Sequence, residues 1–151
     1  MAIDVLNRQR LARVDGSRVA SIAAAALKAI DKDGASLTVV FLRDSGIRKL
    51  NRNYRGADRA TDVLSFPTTE TGSPGAEAFD FDNASEHLGD IVISTDTALR
   101  QSEEAGHSFQ QEIDELVIHG VLHLCGYDHE ADSGEMNRLE LTVRERLLDP
   151  A

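Results

Sequence analysis

Three of the five histidines stand close together, at His119, His123 and His129. The stretch reads His119-Gly120-Val121-Leu122-His123-Leu124-Cys125-Gly126-Tyr127-Asp128-His129. Residues four apart on a helix project from one face, one turn apart. His119 and His123 have that spacing. Gly126 suits a helix end and lets the chain reverse. That reversal can return His129 towards the other two. Three converging imidazoles leave one position of a tetrahedral ion open, the usual form of a catalytic zinc site. Such an ion lowers the pKa of a bound water to about 7. One Zn²⁺ per chain is the expected cofactor.

The neighbours of these histidines support this reading. Leu116, Val117, Ile118, Val121, Leu122 and Leu124 make the segment apolar on nearly every side, as in a buried helix. Histidines on such a helix need partners, because an unsatisfied buried polar group costs about 1–3 kcal/mol. The competing account is a pair of core histidines hydrogen-bonded to carboxylates. The spacing H-x3-H-x2-G-x2-H also occurs in metzincin peptidases, which carry a catalytic Glu directly after the first His. Here that position is Gly120. The metal cradle is present and the peptidase base is absent.

The elements that must hold this cradle follow from patterning. Ala2 to Asn7 suits a short strand. Ser17 to Ile30 suits a helix capped by Ser17, with Val19, Ile22, Ala23, Ala26, Leu27 and Ile30 inward. Ser36 to Leu42 is rich in β-branched residues and suits a strand. Asp44 or Ser45 caps a helix reaching about Tyr54. Thr61 to Phe66 suits a short strand stopped by Pro67, and Leu88 to Ser94 another. Between these two, Thr68 to Ser85 is polar and acidic and suits a long surface loop. Thr95 to Ala105 suits a helix. Ser108 and Gln111 form a capping box for the next helix, which ends at Gly126. Asp132 and Glu135 open a last helix through Leu148. About four strands and five helices make one α+β or α/β domain over residues 1–151.

A 41% hydrophobic and 28% charged composition is that of a soluble globular protein. A single cysteine excludes an internal disulfide. No apolar run reaches the roughly 20 residues that span a bilayer. Met1 to Arg13 lacks the apolar core of a secretory signal, so a cytoplasmic location and no membrane partner are expected. The net charge of −10 hides an asymmetry. Residues 1–60 hold 12 Lys/Arg against 6 Asp/Glu, and residues 61–151 hold 4 against 20. A basic face can therefore bind phosphate on an acidic protein, because distant charges are screened. With five Phe, two Tyr and no Trp, aromatic platforms that read a base sequence are not supported.

The stretch HGVLHLCGYDH resembles the signature of the YbeY family, bacterial metal-dependent endoribonucleases of ribosomal RNA maturation. LNRNYRGADRATDVLSFP (Leu50 to Pro67) and LGDIVIS (Leu88 to Ser94) are similar to two further blocks of that family. The resemblance spans residues 50–130. It implies a single α+β domain with helices on a small, mostly parallel four-stranded sheet bearing one antiparallel strand. It also implies His119, His123 and His129 as zinc ligands and Arg55 as the functional arginine. Precursor ribosomal RNA of the small subunit is then the substrate, and the small ribosomal subunit or its assembly factors are the partners.

The residues agree about Arg55. Arg48, Lys49, Arg52, Arg55 and Arg59 form a basic cluster. A guanidinium suits bidentate phosphate binding and offsets charge in a transition state. A salt bridge to Asp58 or Asp62 is the competing account. Among weaker candidates, Asp128 and Glu115 could orient a histidine, and Ser65 could touch phosphate. Asp62 and Asp90 suit structural roles, Cys125 a core position, and His87 and His107 the surface. Two other functional classes remain open. One is a non-catalytic ribosome-assembly factor with a structural zinc; the other is a zinc peptidase-like hydrolase.

Overall fold

A computed structural model describes residues 3–68, 87–126 and 135–148. His129, Asp128, the Asp132 cap and nearly all of the expected 68–85 loop lie outside the described residues. In chain order the elements are β1 (Ile3–Asn7), α1 (Gly16–Ala29), β2 (Ser36–Leu42), α2 (Asp44–Arg55) and β3 (Val63–Pro67). Then follow β4 (His87–Ser94), α3 (Thr95–Ala105), α4 (Phe109–Leu124) and α5 (Glu135–Leu148). They build a single small α+β domain around one mixed sheet. No helix among the described residues is long and apolar enough to cross a membrane.

The sheet order is β1-β2-β4-β3. β1 and β2 are parallel, β2 and β4 are parallel, and β3 runs antiparallel to β4 at the edge. Pro67 ends β3, which an edge strand tolerates because one side of its backbone needs no ladder donor. Alternation along β2 sends Leu37, Val39 and Phe41 into the larger core, with Ile91 and Ile93 of β4. Val40 and Leu42 turn the other way, against Ile47 of α2, Leu64 and Val92. The sheet thus has α2 on one face and the α1/α4 layer on the other.

From Leu116 to Leu124 α4 is apolar apart from its two histidines and Gly120, and the helix packs against α1, α3, α5, β3 and β4. Its buried Asp114 accepts from Arg18 Nη2 of α1 at 2.8 Å and from Gln110 Nε2 at 2.7 Å. A buried carboxylate needs such partners. Ser108 caps α4 as expected, accepting from the Gln111 amide at 3.0 Å. The Gln111 side chain does not close the box; it donates to Glu115 at 3.1 Å.

Two other caps differ from the sequence reading. Asp15, not Ser17, caps α1 by accepting from the Arg18 amide. Neither Asp44 nor Ser45 caps α2, which starts at Asp44 behind an Arg43 cap position that makes no side-chain capping bond. The Asp44 carboxylate is drawn instead to the start of α3. It accepts from Ser94 Oγ at 2.6 Å, Thr97 Oγ1 at 2.7 Å and Arg100 Nη2 at 2.9 Å. Burial pushes the Asp44 carboxyl up, but these three donors together hold it below its ordinary value. Its stabilisation is therefore present above the unfolded value of about 4 and is lost as pH falls through the lower folded value. Asp44→Asn is expected to cost about 1–2 kcal/mol at neutral pH. Urea unfolding across pH checks this: the gap between wild type and variant should close in acid.

Candidate metal centre

Helix α4 presents His119 and His123 on one side, their ring centroids 4.5 Å apart and their planes at 62°. Both are half-buried. His119 Nδ1 lies 2.7 Å from Glu140 Oε1 of α5. A carboxylate only accepts, so Nδ1 is the donor in this bond, and in the neutral ring Nε2 then keeps the lone pair. Glu140 is 6% exposed. Arg144 Nη2 donates to its other oxygen at 2.6 Å, one turn along α5. A carboxylate behind a ring nitrogen is the usual support of a metal-binding histidine. The donor set therefore fits a zinc ion at the Nε2 side of His119, next to His123. Of the competing account, a pair of core histidines bonded to carboxylates, the described residues show the His119–Glu140 bond, and both rings are half-buried rather than in the core.

Sequence reasoning missed Glu140. It considered Glu115 for that duty, but Glu115 pairs with Gln111 and lies 3.6 Å from Arg144 Nη2. The only signal in the chain was the Glu140/Arg144 spacing of four on the last helix. Nothing local ties it to His119.

Gly120 lies between the two histidines where α4 meets the sheet. A Cβ there would sit 2.7 Å from Ile91 Cγ2. The position that carries the peptidase glutamate is thus occupied by the core, which gives Gly120 a packing reason and argues against peptidase chemistry.

Arg55 is the last residue of α2, and Gly56 stops the helix behind it with φ 71°, a conformation glycine adopts without a Cβ penalty. Asn51 is buried and donates to the Arg59 carbonyl at 2.9 Å, which fastens the following turn. Arg55 Nη2 donates to the Ser65 carbonyl of β3 at 3.3 Å. Ser65 Oγ in turn donates to the Gly120 carbonyl at 3.4 Å. Two contacts thus connect the guanidinium to the backbone between His119 and His123. The expected alternatives for Arg55 are taken up elsewhere. Asp58 pairs with Arg48 Nε at 2.9 Å, which holds the Asp58 carboxyl below its ordinary value. Asp62 accepts from the Val63 amide at 2.8 Å. No carboxylate among the described residues lies within ion-pair distance of Arg55.

His107 is not the surface residue it was expected to be. Its Nε2 lies 2.7 Å from Glu112 Oε1, and Glu112 is buried. With Glu115 these residues form a group whose candidate ligand atoms all lie within 4.8 Å of one another. His87 is exposed as expected, with Nδ1 2.9 Å from Ser36 Oγ. Asp90 is exposed 3.9 Å from His87. Cys125 is half-buried against the main core.

The family model for Endoribonuclease YbeY matches residues 4–148. Endoribonuclease YbeY of Desulforamulus reducens is 41% identical, covering 97% of this chain and 97% of its own. Endoribonuclease YbeY of Geobacter sulfurreducens is 40% identical, covering 97% of this chain and 92% of its own. The solution structure of TM1509 from Thermotoga maritima is similar at a TM-score of 0.60 and 26% identity, over 95% of this chain and 87% of that one. Motifs, sheet order and relatives agree: the chain belongs to the endoribonuclease YbeY family.

Proposed function

We propose that residues 1–151 form one zinc-dependent endoribonuclease domain that cuts phosphodiester bonds in precursor ribosomal RNA of the small subunit. Zinc would be held by His119, His123 and His129. The observation that carries this reading is the Glu140–His119 bond beside His123, on the apolar second half of α4. Zinc held there supplies Lewis acidity to a phosphoryl oxygen or a water. The chain's own residues do the rest. Glu140 fixes the His119 tautomer and ring plane. Arg55 stands at the edge of β3 with a guanidinium that can hold a phosphodiester and offset the charge that develops on it. The ribosomal substrate, small-subunit partners and cytoplasmic setting follow from the family resemblance.

Arg55→Ala should leave zinc content unchanged and lower cleavage of a ribosomal RNA fragment about 100-fold or more. Arg55→Lys should recover little, because an ammonium cannot reproduce the bidentate fork. Unchanged cleavage in Arg55→Ala would remove that residue from the mechanism. Glu140→Gln should weaken zinc binding about 10–100-fold in competition with a chelator. Equal affinity would leave Glu140 a purely structural role.

The His107, Glu112 and Glu115 group supports a second reading, a metal ion held by one imidazole and two carboxylates. We favour the histidine triad. His107 lies 2.7 Å from Glu112 and Glu115 lies 3.6 Å from Arg144, so these side chains already have partners. Zinc that stays bound in His123→Ala and leaves in His107→Ala would reverse that preference.

A further inference from the structure

We infer that Tyr54 is a stacking platform for an unpaired base of RNA lying across the α2/β3 edge. The inference rests on the ribonuclease reading above and adds to it where the substrate lies. Tyr54 is 70% exposed, well above the other large apolar side chains at the surface, Leu6, Leu11 and Leu141. An aromatic ring so open to water is not there for the core. Nor is it loose: it meets the Phe66 ring edge-to-face, with centroids 5.6 Å apart and planes at 70°. Such a pair is worth about 0.5–1.5 kcal/mol and fixes the ring.

Its place in the fold suits the task. Phe66 follows Ser65, whose hydroxyl reaches the carbonyl between His119 and His123. Tyr54 precedes Arg55, whose guanidinium leans on the carbonyl of the same Ser65. Tyrosine ring and guanidinium therefore rest on adjacent residues of one edge strand: Phe66 faces the α2 side of the sheet and the Ser65 side chain the α4 side that carries the candidate metal centre, so RNA that used both would cross this edge. Arg52 and Arg59 are also exposed nearby in the chain. Base on aromatic face and phosphate on arginine is the recurring arrangement for single-stranded nucleic acid. One platform reads no sequence, since every base has a face to stack. This agrees with the scarcity of aromatics in the chain.

The chain has no tryptophan, so Tyr54→Trp introduces a single tryptophan reporter. The probe is a short unstructured oligoadenylate, added to zinc-loaded full-length protein. Tyr54→Ala should weaken binding about 5–100-fold, while Tyr54→Phe stays near wild type. The tryptophan emission of Tyr54→Trp should be quenched by the oligonucleotide and not by inorganic phosphate. Circular dichroism melts of all three variants check that the fold is kept. Wild-type affinity in Tyr54→Ala, or unchanged emission at saturating RNA, would overturn the inference. If wild type cleaves RNA in either of those cases, the ribonuclease reading survives. If wild type neither binds nor cleaves RNA, both fail together.

Discussion

His123→Ala is expected to lose its zinc and to cut RNA at least about 100-fold more slowly, while keeping its fold. Removing one of the three proposed ligands would leave two imidazoles, too few to hold the open tetrahedral site of a zinc hydrolase. The fold should survive because His123 is half-buried, whereas the core contacts of α4 come from Val117, Ile118, Val121 and Leu122. Metal content, RNA cleavage and a thermal melt on one preparation check all three parts. Full cleavage by metal-free protein would separate the activity from these histidines.

Gly89→Ala should be the most damaging small substitution, costing about 3 kcal/mol or more, a large share of the stability of an ordinary domain. Gly89 has φ 142°, which side chains rarely adopt. A Cβ there would lie 2.2 Å from the Phe66 carbonyl oxygen and 2.9 Å from Pro67 Cα. Both are backbone atoms of β3 and cannot swing aside, so strain and overpacking add. The consequence for function is direct. β3 carries Ser65 and supports Arg55, so displacing it moves the guanidinium relative to the proposed metal centre. Gly120→Ala should cost less, about 1–3 kcal/mol, because its obstacle is the Ile91 side chain, which can give. Gly106→Ala is the control. It has φ 76° but nothing within 4 Å of the new methyl, leaving backbone strain alone. Urea unfolding should rank the three in that order, and a Gly89→Ala protein as stable as Gly106→Ala would contradict it.

What could be read from the chain was what is local or periodic. β2 was expected and found at Ser36–Leu42, because β-branched residues alternate there between two cores. The α4 cap at Ser108 was legible because its bond closes within three residues. The spacing of His119 and His123 needed only a helix. Contacts between distant segments were not legible. Asp44 looks like a helix cap, yet three donors from β4 and α3 outcompete its own backbone. β3 starts at Val63, not Thr61, because Asp62 bonds the Val63 amide and ends the approach to the strand. Glu140 meets His119 only after α5 has folded back on α4. His107 looked isolated because its partner, Glu112, lies beyond the Ser108 cap, and only the start of α4 brings them together.

The central claim is that three imidazoles hold the metal. Zinc-edge X-ray absorption of the protein loaded with one equivalent of zinc counts them directly. The account predicts three imidazoles and one further light ligand, all at about 2.0–2.1 Å. A single imidazole with carboxylate oxygens would contradict it and place the metal at His107, Glu112 and Glu115.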